Sequence, residues 1–153
     1  MGANTSPDPV TAPALSEARV REFFDRYLQA WNDHDGPAAA AYMAEDAVYE
    51  DVAAAQVRRG RDEIASWVAE GTGFSSDLHL EAVTFFYLGS AFAVEWVMSG
   101  TNDGPVGGQP ATGRPWRVRG ASVGTLNAEG LIAENRDYWN MAEVFAQIGL
   151  TPP

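Results

Sequence analysis

The sequence contains no cysteine, which excludes disulfide bonds, thiolate metal sites and a cysteine nucleophile. Basic residues are also scarce, with 10 Lys and Arg against 21 Asp and Glu, for a net charge of −11. Because such a surface repels phosphate backbones and anionic membranes, we expect neither nucleic acid nor a membrane as a partner. Strong acidity and the absence of cysteine favour a cytoplasmic protein.

Long apolar runs are missing as well, and no stretch approaches the roughly 20 apolar residues of a membrane span. The first residues lack the basic and apolar regions of a secretory signal. Residues 1–14 are rich in Pro, Ala, Thr and Asp, so we expect a disordered tail there. The remaining length suits one domain, placed at residues 15–150, with residues 151–153 as a C-terminal tail.

The common catalytic and cofactor motifs are absent from the sequence. It contains no GxGxxG or GxxxxGK[ST] phosphate-binding motif, no GxSxG nucleophile elbow and no HExxH zinc motif. The two histidines, His34 and His79, are far apart and lack the spacing of metal ligands. We therefore expect neither a metal nor an organic cofactor.

Aromatic residues are plentiful, and their spacing predicts helices in the first half of the chain. Apolar residues from Val20 to Trp31 recur at intervals of three and four, which predicts an amphipathic helix capped by Ser16. Pro37 opens a short second helix over residues 38–43, and a third covers residues 60–71.

Strand patterns dominate the second half of the chain, after a short strand at residues 47–52. The long strands are predicted at residues 78–88, 92–101, 116–126 and 131–139. A last helix covers residues 141–148 and stops at Gly149. Helices followed by hairpin-connected strands favour an α+β fold in which an antiparallel sheet packs one face against the helices.

The last strand carries the candidate acid. Alternate residues of a strand share a face, so Asn135, Asp137 and Trp139 point the same way. If that face turns towards the helices, burial raises the pKa of Asp137 and prepares it to act as a general acid. An Asp137 that faces solvent or pairs with an arginine is equally compatible with the alternation.

Other strands offer residues for a pocket wall. Trp96 and Met98 share a face of the second long strand, where they form either an apolar pocket wall or ordinary core. Gly120 interrupts the third long strand, which usually marks a bulge or a space left for another group. Tyr49 and Asp51 share a face of the short strand, where they either bind a substrate oxygen or end a surface strand.

Several segments resemble a known family, namely GTNDG with PATGR at residues 100–104 and 110–114, VRGASV at 118–123, and GLIAENRDYW at 130–139. With the order of elements, they resemble SnoaL-like polyketide cyclases of the nuclear-transport-factor-like superfamily, which includes ketosteroid isomerases. The resemblance covers roughly residues 16–150. It implies a cone-shaped, mixed and mostly antiparallel sheet, packed against about three N-terminal helices and enclosing an apolar pocket.

The resemblance implies a cofactor-independent cyclase or isomerase of bacterial secondary metabolism that closes a ring in a hydrophobic, oxygenated, polyketide-like molecule. Asp137 is then the general acid or base, and Asn135 and Tyr49 complete the catalytic group as its hydrogen-bond partners. The residues expected to bind substrate are Asp51, Trp96, Met98, Trp139, Gly120, Phe24 and Trp67. A homodimer is expected too, with Arg117 and Arg119 on the outer face of the sheet towards the partner.

The chain also departs from its apparent relatives. The epoxide hydrolase branch shares the ending Arg136-Asp137-Tyr138 but adds an Arg and a second Asp, whose positions hold Trp96 and Met98 here. Asp137 is therefore expected to be an isolated carboxylate. An epoxide-opening or ether-forming cyclase, whose nucleophile is a substrate hydroxyl, remains one alternative, and a non-catalytic binding module is another.

Two asparagines stand where relatives in the cyclase branch have histidine. Asn102 follows a Gly-Thr pair, and Asn135 lies near the acid on the last strand. Each change removes a titrating partner from the expected site.

Overall fold

The computed structural model describes residues 15–153, so the tail expected at residues 1–14 lies outside the described residues. The elements are α1 Glu17–Asn32, α2 Gly36–Ala40, β1 Met43–Asp51, β2 Gln56–Arg59, α3 Gly60–Phe74, β3 His79–Leu88, β4 Ala91–Thr101, β5 Pro115–Leu126, β6 Ile132–Trp139 and α4 Met141–Ile148. None of the helices in this part of the chain is long and apolar enough to cross a membrane.

Helix α1 shows how the sequence builds the layer that covers the sheet. The Ser16 side chain accepts a hydrogen bond from a first-turn amide at 3.3 Å and so caps the helix. Val20, Phe24, Tyr27 and Trp31 follow at helical spacing and are all buried. This stripe packs against β3 and α2, so the side chains at its C-terminal end reach the inner face of the sheet.

Within residues 15–153, the six strands form one open sheet in the order β2-β1-β6-β5-β4-β3. Neighbouring strands are antiparallel except β1 and β6, which run parallel. The predicted hairpin succession β3 to β6 is confirmed, as is the α+β class with a mixed and mostly antiparallel sheet. The parallel pair joins strands that are distant in sequence, and it brings β1 beside the strand that carries Asp137.

The sequence prediction was wrong at the end of the second helix. Helix α2 ends at Ala40, and Met43 begins β1, where it is fully buried and pairs with Ile132. Met43 is therefore buried in the sheet instead of ending the helix expected at residues 38–43. Strand β2 has no counterpart in the prediction because its four residues are too few and too exposed to show a clear alternation.

Candidate active site

A cavity of about 310 Å³ lies between the helices and the inner face of the sheet, within the usual range for small-molecule sites. All five tryptophans of the chain line it, namely Trp31, Trp67, Trp96, Trp116 and Trp139. Aromatic walls with few polar groups suit a flat apolar ligand, which the polar groups can orient.

Register across the central strands brings the polar groups of the cavity together. Residues paired across neighbouring strands project from the same side of the sheet. The three inner-face rows are Tyr49–Asn135–Gly124, Asp51–Asp137–Ser122 and Trp139–Gly120–Trp96. Asp137 stands in the middle of these rows, which confirms that it shares the inner face with Asn135 and Trp139.

Asp137 is buried in the cavity wall, and both of its carboxyl oxygens are hydrogen-bonded. Oδ1 accepts from Ser122 Oγ at 2.6 Å and from Asn135 Nδ2 at 2.8 Å, and Oδ2 accepts from the Tyr49 hydroxyl. Burial raises the pKa of Asp137 to about 6, although these hydrogen bonds oppose the rise. Because that pKa is near neutrality, the carboxyl can both give and take a proton.

Two phenols face this carboxyl. Tyr49 projects from β1, and Tyr27, which the sequence analysis does not single out, projects from α1. Burial, followed by the charge of Asp137, raises the pKa of each hydroxyl above its ordinary value. Both therefore keep their protons at neutral pH and can donate hydrogen bonds.

Asp51 places a second carboxyl in the cavity, so the expectation of an isolated carboxylate is wrong. It lies beside Asp137 through the pairing of β1 with β6, which sequence periodicity does not indicate. Trp139 Nε1 lies 3.1 Å from both oxygens of Asp51, and the Ala54 backbone N–H donates to one of them at 2.8 Å. Burial nevertheless raises the pKa of Asp51.

Gly120 leaves space for another group, as one of the two expectations had it, because the indole of Trp96 lies against it; the β4–β5 ladder has no bulge at this position. The two residues pair in the β4–β5 ladder, and a Cβ on Gly120 would stand 2.3 Å from the Trp96 ring. The Trp96 Nε1–H group then donates to Ser122 Oγ at 2.8 Å. Gly120 thus shapes the cavity by leaving room for Trp96 and is not itself part of the lining.

The remaining expected binding residues divide between the cavity and the core. Met98 and Trp67 line the cavity. Phe24 is not part of the lining and packs instead against Phe85 and Phe92, with ring centroids 5.2 and 4.5 Å apart. The buried stripe of α1 is longer than the cavity, so Phe24, one turn before Tyr27, belongs to the core.

The β4–β5 loop is braced by a buried asparagine, and the C-terminal tail contributes to the cavity wall. Asn102 is fully buried, accepts a hydrogen bond from the Thr112 backbone N–H at 2.9 Å and donates to the Gly104 carbonyl at 2.8 Å. It therefore braces the β4–β5 loop. The C-terminal tail is held by Gln109 of the same loop, which donates to the Thr151 carbonyl at 2.9 Å, and Pro153 of the tail lines the cavity.

Ser122, Tyr27, Trp31 and Trp116 are site residues that the sequence analysis missed. Alternation from Trp116 to Ser122 places both on one strand face and is a signal that could have found Ser122. Over residues 15–153, no group of three or more His, Asp or Glu residues is arranged to hold a metal ion.

The fold and site define an α+β protein with a protonatable carboxyl in an aromatic cavity. A family model of the SnoaL-like domain matches residues 20–135, and the chain belongs to this family. The matched segment ends two residues before Asp137. No curated protein sequence matches the chain.

Solved structures share this fold at low sequence identity. A candidate SnoaL-like polyketide cyclase from Jannaschia sp. CCS1 has a TM-score of 0.77 at 20% identity, covering 99% of this chain and 100% of that one. IdmH, a candidate polyketide cyclase from Streptomyces antibioticus, has a TM-score of 0.75 at 20% identity, with 86% and 99% covered. SalBIII, an epoxide hydrolase/cyclase-like enzyme of pyran ring formation in salinomycin, has a TM-score of 0.70 at 22% identity, with 84% and 95% covered. At these identities the likeness establishes the fold.

Proposed function

We propose that the protein is a cofactor-independent cyclase of bacterial secondary metabolism, acting on a hydrophobic, oxygenated, polyketide-like molecule. The observation that carries this proposal is the buried carboxyl of Asp137 in the wall of a largely apolar cavity that all five tryptophans line. Such a cavity can fold a flexible substrate so that its reacting ends meet. The carboxyl, with a pKa of about 6, then moves the proton that ring closure requires.

In an intramolecular aldol closure, the nucleophile is an enol carbon of the substrate. As this carbon bonds to the carbonyl carbon, the carbonyl oxygen takes the proton of Asp137. The proton that leaves the enol oxygen restores Asp137, directly or through solvent. Asn135 and Tyr49 hold the carboxyl in place through their hydrogen bonds, and the apolar walls limit the water that reaches the reacting atoms.

Asp51 favours a second candidate, an epoxide-opening cyclase that forms an ether ring. Two neighbouring carboxyls in different surroundings can divide the roles of acid and base. Asp51 would take the proton of a substrate hydroxyl while that oxygen bonds to an epoxide carbon. The carbon–oxygen bond of the epoxide breaks, and Asp137 protonates the oxygen that leaves.

The two chemistries are tested with a linear poly-β-ketone and a hydroxy-epoxide as probe substrates. We expect turnover of one probe, and Asp137→Asn should lower it about 100-fold or more because a positioned acid typically contributes that much. Glu95→Gln is the matched control, since Glu95 is exposed on β4. Undiminished turnover by Asp137→Asn contradicts the acid role, and tight binding of a probe that is recovered unchanged favours a binding module.

We also propose that two copies pair through the outer face of the sheet. Phe86 is 64% exposed on β3 and Tyr138 is 46% exposed on β6, with smaller apolar residues between them. The exposed side chains of Arg117 and Arg119 on β5 and of Glu95 on β4 supply charges of both signs, as a self-complementary two-fold contact requires. Sedimentation equilibrium should report a dimer that Phe86→Glu dissociates, and a monomeric wild type contradicts this assembly.

A further inference from the structure

We infer that Trp96 and Ser122 are positioning residues that decide which oxygen of Asp137 carries its proton. They make Oδ1 a permanent hydrogen-bond acceptor, so that protonation takes place at Oδ2, the oxygen shared with Tyr49. The inference rests on the proposed acid role of Asp137 and assigns a function to two residues outside the proposed catalytic group.

The direction of the hydrogen bonds follows from the donors available. An indole N–H can only donate, so the Trp96 Nε1 contact of 2.8 Å makes Ser122 Oγ the acceptor. The Ser122 hydroxyl has one proton, and within the described chain its other hydrogen-bond partner is Asp137 Oδ1, at 2.6 Å. The hydroxyl proton therefore points at Oδ1.

Asn135 reinforces this polarity, because its Nδ2 group donates to the same Oδ1 at 2.8 Å. A proton placed on Oδ1 would face two donors, and Ser122 would have to turn its hydroxyl away without another partner. Oδ2 faces the Tyr49 hydroxyl, which can accept as well as donate. When Oδ2 is protonated, Tyr49 can accept that proton's hydrogen bond and turn its own proton towards the cavity that it lines.

Few other titratable groups lie close enough to Asp137 to affect its protonation. The titratable groups that face Asp137 are Tyr49 and Asp51 from β1 and Tyr27 from α1, and Glu70 of α3 lines the same cavity. Burial keeps both phenols protonated by raising their pKa values. The titration of Asp137, with a pKa of about 6, can be followed by itself with a residue-specific label.

Trp96→Phe separates positioning from simple wall packing. The variant keeps a ring in the wall but removes the N–H group, so Ser122 becomes free to accept a proton from Oδ1. The ionised carboxylate loses a hydroxyl that was fixed as a donor to Oδ1, and protonated Asp137 gains a second site. Together the two effects should raise the pKa of Asp137 by about one unit. If Trp96 were only a packing residue, the main effect of the smaller ring would be to admit water, which would lower the pKa of Asp137 by solvating the carboxylate. A raised pKa therefore indicates a positioning role for Trp96, and a lowered pKa indicates packing alone.

Trp116→Phe is the matched control. Trp116 Nε1 also donates to a serine, Ser75, at 2.8 Å, but that hydroxyl donates to the Thr101 carbonyl at 2.7 Å instead of to a carboxylate. Both tryptophans line the cavity, so the two variants remove equal ring volume from it. Only Trp96→Phe should move the titration of Asp137.

The measurement is the ¹³Cγ chemical shift of Asp137 against pH in protein labelled at aspartate, with the resonance assigned through Asp137→Asn. We expect a higher midpoint in Trp96→Phe and Ser122→Ala, the wild-type midpoint in Trp116→Phe, and its recovery in Ser122→Thr. A lowered or unchanged midpoint in Trp96→Phe, or an equal shift in Trp116→Phe, overturns the inference. These shifts do not depend on turnover, so failure of the probe reactions would count against the proposed function alone.

Discussion

Asp51 and Asp137 are register partners on the parallel strands β1 and β6, and both line the aromatic cavity. Burial raises the pKa of both carboxyls, and the charge of Asp51 adds to the rise at Asp137. Each carboxyl is held by hydrogen bonds, in part from the neutral side chains Trp139 and Ser122. Asp137, with a pKa of about 6, can exchange its proton near neutral pH, which a carboxylate locked in an ion pair does less readily.

The pH dependence of stability should reveal the cost of ionising Asp137. Its pKa is about 6 in the folded chain against an ordinary value of 3.8, so its contribution is fully present below about pH 4 and is lost as pH rises through 6. The shift corresponds to about 3 kcal/mol. In urea unfolding between about pH 4 and about pH 8, the free energy of unfolding of the wild type should fall by this amount relative to that of Asp137→Asn. Parallel pH profiles for the two proteins would refute the elevated pKa.

Asp51→Asn separates the two candidate reactions. If a single acid closes the ring, the variant should retain more than about a tenth of wild-type turnover, because the asparagine keeps the shape of the wall. The pKa of Asp137 should fall, since the neighbouring charge that raises it is removed. Steady-state rates and their pH profiles give both quantities. A loss of about 100-fold or more instead identifies Asp51 as the base of an ether-forming reaction.

Gly120→Ala should displace the Trp96 indole from its place in the cavity wall. The added methyl would stand 2.3 Å from the Trp96 ring, so the indole must move and release Ser122. We expect a loss of about 1–3 kcal/mol of stability and weaker binding of apolar ligands. Gly73→Ala, in helix α3 with no atom within 4 Å of the new methyl, is the control and should be neutral or stabilising. Equal stability of the two variants would contradict the packing of Trp96 on Gly120.

Phe24→Ala should lower stability, whereas Trp67→Ala should weaken ligand binding. Phe24→Ala deletes a buried ring that packs on Phe92 and should cost about 3–5 kcal/mol of stability, with little change in ligand affinity of the folded protein. Trp67→Ala removes a cavity wall and should weaken the binding of a neutral flat probe such as 1-aminoanthracene. Fluorescence titration and thermal unfolding measure the two effects. A reversed pattern would place Phe24 in the binding site.

Local periodicity predicts most of this fold and part of its site. Alternation alone places Asn135, Asp137 and Trp139 on one face, because that rule needs no knowledge of the neighbouring strands. Alternation also predicts the long hairpin-connected strands, and the spacing of three and four predicts the buried stripe of α1. These features depend on residues close together in the chain, where spacing directly determines orientation.

Contacts between distant segments lie beyond such reasoning. The pairing of β1 with β6 puts Asp51 beside Asp137 across 86 positions of sequence, and no spacing rule encodes that register. The same holds for Trp96, whose ring occupies the space above Gly120 only because β4 and β5 pair in this register. Sequence analysis names Asp51 and Trp96 as binding residues, but the closeness of Asp51 to Asp137 and the hydrogen bond from Trp96 to Ser122 emerge only from the tertiary structure.

The pKa of Asp137 tests the central claim most directly, because every role given to this carboxyl depends on its holding a proton near neutral pH. The measurement is the ¹³Cγ titration of Asp137 in the wild-type protein, without substrate. We predict a midpoint of about 6, well above the ordinary value of 3.8. A midpoint at or below 3.8 would show a permanently ionised carboxylate and would contradict the role of Asp137 as the acid of this site.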